Sequence, residues 1–233
     1  KKLDLESLYT LEKKNHEQEQ ELNQERLRFY TNITHELRTP LTLILGPLED
    51  MQKETSLPAK QAQKLSVIHQ SALRLLNLIN QILEFRKTET QNKKLCVSKG
   101  NIAPLIYEIG LKYKELNQKT KIDFQIQIEK EEMLLFFDKE IITIVLDNLI
   151  SNAIKYTEQG RVTLSLYQTM RNEVAYTEIK VSDTGYGISA EALPHIFDRY
   201  YQESGKHQAS GTGIGLALVK NLVTLHEGEI RAE

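Results

Sequence analysis

Two heptad repeats separated by a short turn restrict the first part of this chain to long helices. The first repeat has two rows of residues, which are Leu27, Thr34, Leu41, Leu48 and Tyr30, Leu37, Ile44, Met51. The second repeat has the rows Leu65, Ala72, Ile79 and Ile68, Leu75, Ile82. Residues 55–58, with the sequence Thr-Ser-Leu-Pro, supply a turn and a helix start between the two repeats. We therefore predict an antiparallel helical hairpin.

Each predicted helix carries an apolar stripe that is too long for a single partner helix to bury. A homodimer that forms a four-helix bundle is the simplest arrangement that buries both stripes. The heptads alone leave open a coiled-coil spacer without chemistry. Residues 1–28 are rich in Glu, Gln, Lys and Leu, which favours a further helix.

A change of pattern near residues 90–100 is followed by short strands and helices. The predicted strands are residues 121–128, 134–137, 161–168 and 173–183, and the predicted helices are residues 103–118, 138–156 and 213–226. These elements suit an α/β sandwich in which helices cover one face of a single mixed sheet. Residues 230–233 have the pattern of a strand that is beginning.

The composition excludes several classes of protein. A chain of 233 residues suits one or two domains, and its net charge of −2 gives no global electrostatic reason to bind nucleic acid. Apolar runs fall far short of the roughly 20 residues that cross a bilayer, and the first residues lack the apolar centre of a secretory signal. Cys96, the single cysteine, excludes an internal disulfide and a cysteine-based zinc site. We expect no direct binding of nucleic acid by this chain.

His35 is the first candidate for chemistry. It follows an a position of the heptad, so it falls at b on the solvent side of the bundle, with Glu36 next to it and Thr39 one turn further on. Pro40 removes a backbone hydrogen bond beside it, and we expect the helix to bend there. An exposed imidazole with a neighbouring carboxylate suits a phosphoryl acceptor. A surface histidine without a function is the alternative.

A polar stripe on the predicted helix 138–156 is the second candidate. Asn148 and Asn152 are four residues apart on one face, and Lys155 follows three residues later. Two carboxamides and an ammonium group suit Mg²⁺ together with phosphate, because hard cations prefer oxygen ligands. Helix capping or a solvated face is the alternative.

Two glycine-rich segments complete the candidates. Asp183, Gly185 and Gly187 follow a strand, where a carboxylate that accepts an amino proton and a closely approachable backbone would suit a purine, although this short motif is more often only a turn. Residues 211–217 open the last helix, where backbone N–H groups and the helix dipole favour a polyphosphate. The glycine spacing matches neither the Rossmann motif nor the P-loop.

In this order, the motifs resemble those of bacterial sensor histidine kinases over residues 29–233. Residues 34–41 resemble the H-box, 148–156 the N-box, 183–187 the G1 box, 196–201 the F-box and 211–217 the G2 box. The resemblance implies a dimerisation and phosphotransfer hairpin at 29–92, a linker at 93–100 and an ATP-binding domain of the Bergerat fold at 101–233. Residues 1–28 would then be the signalling helix.

The resemblance also implies a role for each matching residue. His35 would accept the phosphoryl group, Glu36 would take its proton, and Thr39 would orient water in a reverse phosphatase reaction. Asn152 would be the main Mg²⁺ ligand with Asn148 beside it. The remaining residues expected to bind ATP are Lys155, Tyr156, Asp183, Gly185, Gly187, Gly211, Thr212, Gly213, Gly215 and Leu216. A mobile lid is expected at about residues 189–210.

The expected function is transfer of the ATP γ-phosphate to His35 and onward to an aspartate of a response-regulator receiver domain, in cis or in trans. Leu43, at an outer heptad position, is either a lone surface leucine or part of the receiver site. The segment around His35 further resembles hybrid sensors, so we expect a homodimeric cytoplasmic portion of an inner-membrane protein. Gln202 stands where many members have Arg or Lys, although Lys206 is near, and the last sheet strands of the family would follow Glu233.

Three other classes share parts of this pattern. A chaperone-, mismatch-repair- or gyrase-type ATPase would share the nucleotide motifs but not the hairpin with His35. A phosphatase-biased or pseudo-kinase scaffold stays open because of Gln202. A plain dimeric signalling coil would lack the nucleotide motifs.

Overall fold

The structure divides into two compact units, one ending at Lys93 and one beginning at Lys94. The computed structural model describes residues 13–14, 32–34, 36–52, 58–89, 93–117, 121–171, 173–202 and 213–233. The first unit is helical, and the second combines helices with strands. The predicted fold class is confirmed.

The helical unit is a hairpin of α1, which comprises the helical residues 36–52, and α2, Ala59–Glu89. Leu41, from the first heptad row, and Leu45, which lies in neither row, pack against Ala72 and Ile79 of the first row of α2. Across the same interface, Arg38 donates a hydrogen bond from Nη2 to Oδ1 of Asn80 at 2.6 Å. The hairpin is therefore held by an apolar row with a polar contact beside it.

The second heptad row remains at the surface of the single chain. Its exposed members are Leu37, Ile44, Met51, Ile68 and Leu75. Ile82, the last residue of this row in α2, is half-buried. This division of the two rows agrees with the sequence pattern, which predicts more apolar surface than one hairpin can bury.

The second unit contains five strands and three longer helices among its described residues. The elements are β1 Ser98–Asn101, α3 Ile102–Leu116, β2 Ile122–Ile128, β3 Leu134–Phe137, α4 Lys139–Tyr156, β4 Gly160–Arg171, β5 Val174–Asp183 and α5 Gly215–Leu225. A 3₁₀ turn, Leu193–His195, lies between β5 and α5. The predicted helices and strands agree with these elements to within three residues at each end.

The strands form two ladders rather than the single mixed sheet that the sequence suggests. In the larger ladder, β2 pairs in parallel with β4, and β4 pairs antiparallel with β5. In the smaller ladder, β1 pairs antiparallel with β3. Three residues of β1 come from the predicted linker 93–100, and residues 230–233, where a strand was expected to begin, have no regular secondary structure.

One apolar core lies between the helices and the larger sheet. It joins Ile106 of α3 and Ile150 of α4 to Phe124 of β2 and to Val162 and Leu164 of β4. The alternation of β4 points every second side chain into this core. On the other face, polar contacts such as that between Tyr167 and Glu178 occupy the surface. Within the described ranges, no helix has the length and apolar character needed to cross a membrane.

A half-buried polar contact links α3 to α4. The hydroxyl of Tyr113 donates to Oδ1 of Asp147 at 2.9 Å, and Nζ of Lys112 lies 3.2 Å from the same oxygen. Burial and the neighbouring carboxylate raise the pKa of the Tyr113 hydroxyl well above its usual value. The neutral hydroxyl is therefore the form that the folded chain favours.

Leu166→Ala should reduce the free energy of unfolding of this unit by about 2–5 kcal/mol, because Leu166 is 1% exposed and its loss leaves a cavity. Leu116→Ala is the matched control, because that side chain is 63% exposed and its truncation should cost under about 1 kcal/mol. Urea unfolding followed by circular dichroism measures both changes. Equal losses would contradict the location of the core.

Tyr113→Phe should make the free energy of unfolding fall less steeply as the pH rises in the alkaline range. A tyrosine whose pKa is raised by folding contributes stability below its unfolded pKa of about 10, and this contribution is lost as pH rises through the folded pKa. Above pH 10, the free energy of unfolding of the unmodified chain should therefore fall with pH more steeply than that of Tyr113→Phe, by up to about 1.4 kcal/mol per pH unit. Urea unfolding between pH 8 and 11 measures the slope. Tyr107→Phe, at an exposed position of α3, should keep the original slope.

Candidate functional site

Helix α4 carries the polar stripe that the sequence predicts, on the edge of its buried face. Apolar residues such as Ile141 and Ile150 anchor the helix in the protein interior. Asn148 is 8% exposed, and its Nδ2 donates to the carbonyl oxygen of Ile144 at 2.8 Å. Asn152 is half-buried one turn further along the helix. The packing of α4 and the hydrogen bond to Ile144 therefore set the direction of the Asn148 carboxamide.

The first turn of α5 approaches Asn148 closely. A β-carbon added at Gly215 would lie 2.9 Å from Oδ1 of Asn148, so a larger residue would press on the carboxamide oxygen. Since Nδ2 is bonded within α4, Oδ1 is the atom that faces α5. Leu216 follows in the first turn and is half-buried. The structure thus brings together one residue of the predicted N-box and one of the predicted G2 box.

The end of α4 contacts the segment that follows β5. The carbonyl oxygen of Tyr156 accepts a hydrogen bond from the backbone N–H of Tyr186 at 3.3 Å. A β-carbon at Gly185 would collide with the same carbonyl group, so only glycine fits this approach. Oδ1 of Asp183 accepts from the N–H of Gly185 at 2.9 Å. The predicted G1 residues therefore form a turn against the end of α4.

Two side chains at this end of α4 contact each other at the surface. Nζ of Lys155 donates to the hydroxyl of Tyr156 at 3.2 Å and lies 4.6 Å from the centre of its ring. Nearby in sequence, the hydroxyl of Tyr186 donates to Oε2 of Glu158 at 2.8 Å, and this hydrogen bond raises the pKa of Tyr186. An exposed cation and aromatic rings suit recognition of a nucleotide by charge and stacking.

Gly213 joins the last helix to the predicted F-box. Its φ of +67° is unfavourable for other residues, and its carbonyl oxygen accepts from the N–H of Tyr200 at 2.9 Å. Gly187 also has a positive φ, +75°, but a β-carbon there would meet nothing within 4 Å. Gly211, Thr212 and Lys206 lie outside the described residues. Of the predicted lid, residues 189–202 are described and contain the 3₁₀ turn.

The predicted phosphoryl-acceptor motif belongs to the helical unit. His35 itself lies outside the described residues. Glu36 and Thr39 are exposed on α1, and Thr34 is buried. The helix continues through Pro40.

Asp138 is a structurally important residue, and the sequence pattern identifies it only as the start of a helix. It caps α4 through its side chain, which accepts from the N–H groups of Glu140 and Ile141. An aspartate directly before an apolar periodic segment is a strong N-cap signal, so this role was readable from sequence. Its contacts with distant segments could not be read from the sequence, because no local pattern encodes them.

Comparison with known proteins identifies two families along the chain. Residues 25–91 match the His Kinase A (phospho-acceptor) domain, and residues 137–233 match the histidine kinase-, DNA gyrase B- and HSP90-like ATPases. The first match contains His35, and the second contains every predicted nucleotide residue. The match to the phospho-acceptor domain distinguishes this chain from the other ATPases of the second family.

Individual relatives agree with these matches. The chain is 38% identical to histidine kinase P4 of Formosa agariphila over 97% of this chain and 16% of that protein. It is 32% identical to the autoinducer 2 sensor kinase/phosphatase LuxQ of Vibrio vulnificus over 89% of this chain and 25% of that protein. Among solved structures, full-length ShkA in complex with AMPPNP aligns with a TM-score of 0.65 and 26% identity, covering 84% of this chain and 40% of that one. The chain thus spans a quarter or less of the two relatives.

Proposed function

The chain belongs to the histidine kinase family, and from that membership we propose that it is the kinase core of a two-component sensor, which transfers the γ-phosphate of ATP to His35. The observation that carries this proposal is the close approach of Asn148 and Gly215, which joins the N-box helix to the G2 helix within the matched ATPase region. A solved relative that holds AMPPNP, an ATP analogue, supports the same nucleotide.

In the proposed site, the stripe of α4 and the glycine-rich turns hold the nucleotide. Asp183 receives the adenine amino group, and Lys155 and Tyr156 lie along the nucleotide from the end of α4. Gly185 and Gly187 shape the adenine wall, whereas Gly211, Thr212, Gly213, Gly215 and Leu216 surround the phosphates at the start of α5. The N-terminus of a helix stabilises phosphate through its free N–H groups and dipole.

Mg²⁺ fits the same stripe. Asn152 and Asn148 would hold the ion through their carboxamide oxygens, which are the hard ligands that Mg²⁺ prefers. The orientation of Asn148, with its nitrogen bonded to Ile144 and its oxygen facing α5, is compatible with this role. When bound, the ion offsets negative charge on the triphosphate.

Phosphoryl transfer requires His35 to reach the γ-phosphate in line with the leaving oxygen. A ring nitrogen of His35 forms the N–P bond as the bond between the γ-phosphorus and its bridging oxygen breaks, and ADP leaves. Glu36, the next residue on the exposed side of α1, takes the imidazole proton. The phosphoryl group then passes to an aspartate of a receiver domain.

A reverse phosphatase activity is the second candidate function. Thr39 is exposed one helical turn beyond His35, where it can orient water toward a phosphorylated receiver. The resemblance to LuxQ, whose name includes both activities, favours this addition. Leu43, which is 70% exposed on the outer face of α1, is proposed to contact the receiver. In the whole protein, we propose that this core lies on the cytoplasmic side of the inner membrane.

The exposed heptad row supports a homodimer. Leu37, Ile44 and Met51 of α1 and Ile68 and Leu75 of α2 leave an apolar face that a second hairpin would cover in a four-helix bundle.

Incubation of the chain with γ-labelled ATP and Mg²⁺ tests the kinase proposal. The label should be acid-labile and alkali-stable, and His35→Gln should abolish it while the Kd for ATP stays within about twofold, since His35 is outside the ATP-binding unit. His69→Gln is the matched control on α2 and should keep the label. A label that persists in His35→Gln would refute the acceptor. ATP binding without any label would favour the phosphatase-biased or pseudo-kinase alternative.

Asn152→Ala should weaken Mg²⁺-dependent ATP binding at least about tenfold, which corresponds to about 1.4 kcal/mol, and should reduce the label in parallel. Titration calorimetry with and without Mg²⁺ measures the binding. Asn77→Ala, at an exposed position of α2, is the control and should bind ATP normally. Undiminished labelling in Asn152→Ala would refute the metal assignment.

Leu75→Glu should shift the chain from dimer to monomer, because it places a charge in the proposed bundle interface, where burying an unpaired charge is unfavourable. Leu75 is 50% exposed in the single chain. Sedimentation equilibrium measures the change in mass. Leu43→Glu, on the outer face of α1, is the matched control and should remain dimeric; a monomer there, or a dimer with Leu75→Glu, would contradict the proposed interface.

A further inference from the structure

The buried carboxylate of Asp138 binds two separate segments of the ATP-binding unit. Asp138 is 4% exposed. Oδ1 accepts from the N–H groups of Glu140 and Ile141 at 3.0 and 3.1 Å, which caps α4. Oδ2 accepts from the backbone N–H of Cys96 at 2.7 Å, in the segment that precedes β1. The two oxygens therefore have different partners, and the Oδ2 bond ties the start of α4 to residues 94–97.

The backbone of Asp138 adds a third element. Its N–H donates to Nε2 of His226, the C-cap residue of α5, at 3.0 Å. This contact requires the neutral imidazole with its proton on Nδ1. Since Asn148, near the middle of α4, faces Gly215 at the other end of α5, the two helices run in opposite directions, and α5 contacts α4 at both of its own ends. Asp138 marks the end that is away from the predicted phosphate-binding turn.

We propose that Asp138 is a positioning residue for phosphoryl transfer, which couples residues 94–97 to the nucleotide helices α4 and α5 through its Oδ2 contact with Cys96. The inference rests on the proposed ATP site between Asn148 and Gly215. In chain order, residues 94–97 lie between the helical hairpin and β1, so any change that reaches the ATP-binding unit along the chain passes through them. Coupling between two sites is reciprocal, and nucleotide binding must therefore alter the Cys96 contact.

The geometry explains why this coupling depends on one carboxylate. A buried aspartate without its hydrogen bonds would be costly, and three N–H donors together with the N-terminus of α4 stabilise its charge. Asp138→Asn keeps an oxygen to cap α4, because asparagine is an equally good N-cap residue. It replaces the oxygen facing Cys96 with an NH₂ group, which cannot accept a hydrogen bond. The variant thus removes the coupling contact and leaves the helix cap.

The single cysteine makes the contact directly observable. Labelling with ¹⁵N-cysteine gives one backbone amide resonance, from Cys96, since the sequence has no other cysteine. The hydrogen-exchange rate of this amide reports how often its bond to Asp138 opens. Nucleotide binding is measured in parallel on the same full chain, with AMPPNP and Mg²⁺ as the probe.

In the unmodified chain, saturating AMPPNP with Mg²⁺ should slow exchange of the Cys96 amide by about fivefold or more. In Asp138→Asn, the Kd for AMPPNP should stay within about threefold, while exchange should no longer respond to nucleotide and labelling of His35 at saturating ATP should fall about fivefold. Asp123→Asn, at an exposed aspartate of β2 paired with Arg161, is the matched control and should behave as the unmodified chain.

His226→Leu tests the same coupling from α5 if Asp138→Asn fails to fold. It removes the ring acceptor of the Asp138 N–H without altering the carboxylate, and it should reduce the nucleotide effect on Cys96 exchange. If nucleotide binds but does not change Cys96 exchange in the unmodified chain, or changes it equally in Asp138→Asn, the inference is wrong and the proposed function stands. If nucleotide does not bind to the unmodified chain at all, the proposed function and the inference both fail.

Discussion

The burial of one face of α4 is the constraint on which the ATP-binding unit depends. Ile141, Leu146 and Ile150 are almost completely buried, so the helix cannot rotate without losing most of its apolar contacts. This fixed rotation points Asn148 toward α5 and places the end of the helix against the turn after β5. The proposed chemistry therefore follows from packing, since the polar residues keep their direction only while the apolar face remains buried.

Local patterns predicted much of this unit, whereas contacts between distant segments were not predictable. The alternation in β4 and the apolar period of α4 identified both elements because each has a buried face with its own repeat. Strand β1, with the sequence Ser-Lys-Gly-Asn, has low β-propensity and forms through pairing with β3. The bond between Cys96 and Asp138 joins residues 42 positions apart, and no local repeat encodes such a pair.

The helical unit shows a related division between what is visible in sequence and what requires structure. Both heptad rows were evident, and the hairpin buries Leu41 of the first row together with Leu45, which lies outside both rows, while most of the second row stays exposed. The glycine-rich motifs were also recognised from the sequence, but the structure shows that glycine is needed at each position for a different reason. Gly185 allows the close approach of a carbonyl group, Gly213 has a positive φ, and Gly215 leaves room for the Asn148 oxygen. A side chain is therefore disfavoured at each of the three positions for a different physical reason.

The central claim, that an ATP-binding unit built on α4 phosphorylates His35, is tested most directly by locating the phosphate. The chain would be incubated with ATP and Mg²⁺, digested with trypsin at alkaline pH, and sequenced by tandem mass spectrometry. The account predicts phosphate on the peptide of residues 29–38, with fragment ions that assign it to His35, the only histidine of that peptide. Phosphate on another residue, or an unmodified peptide while nucleotide is bound, would contradict the account.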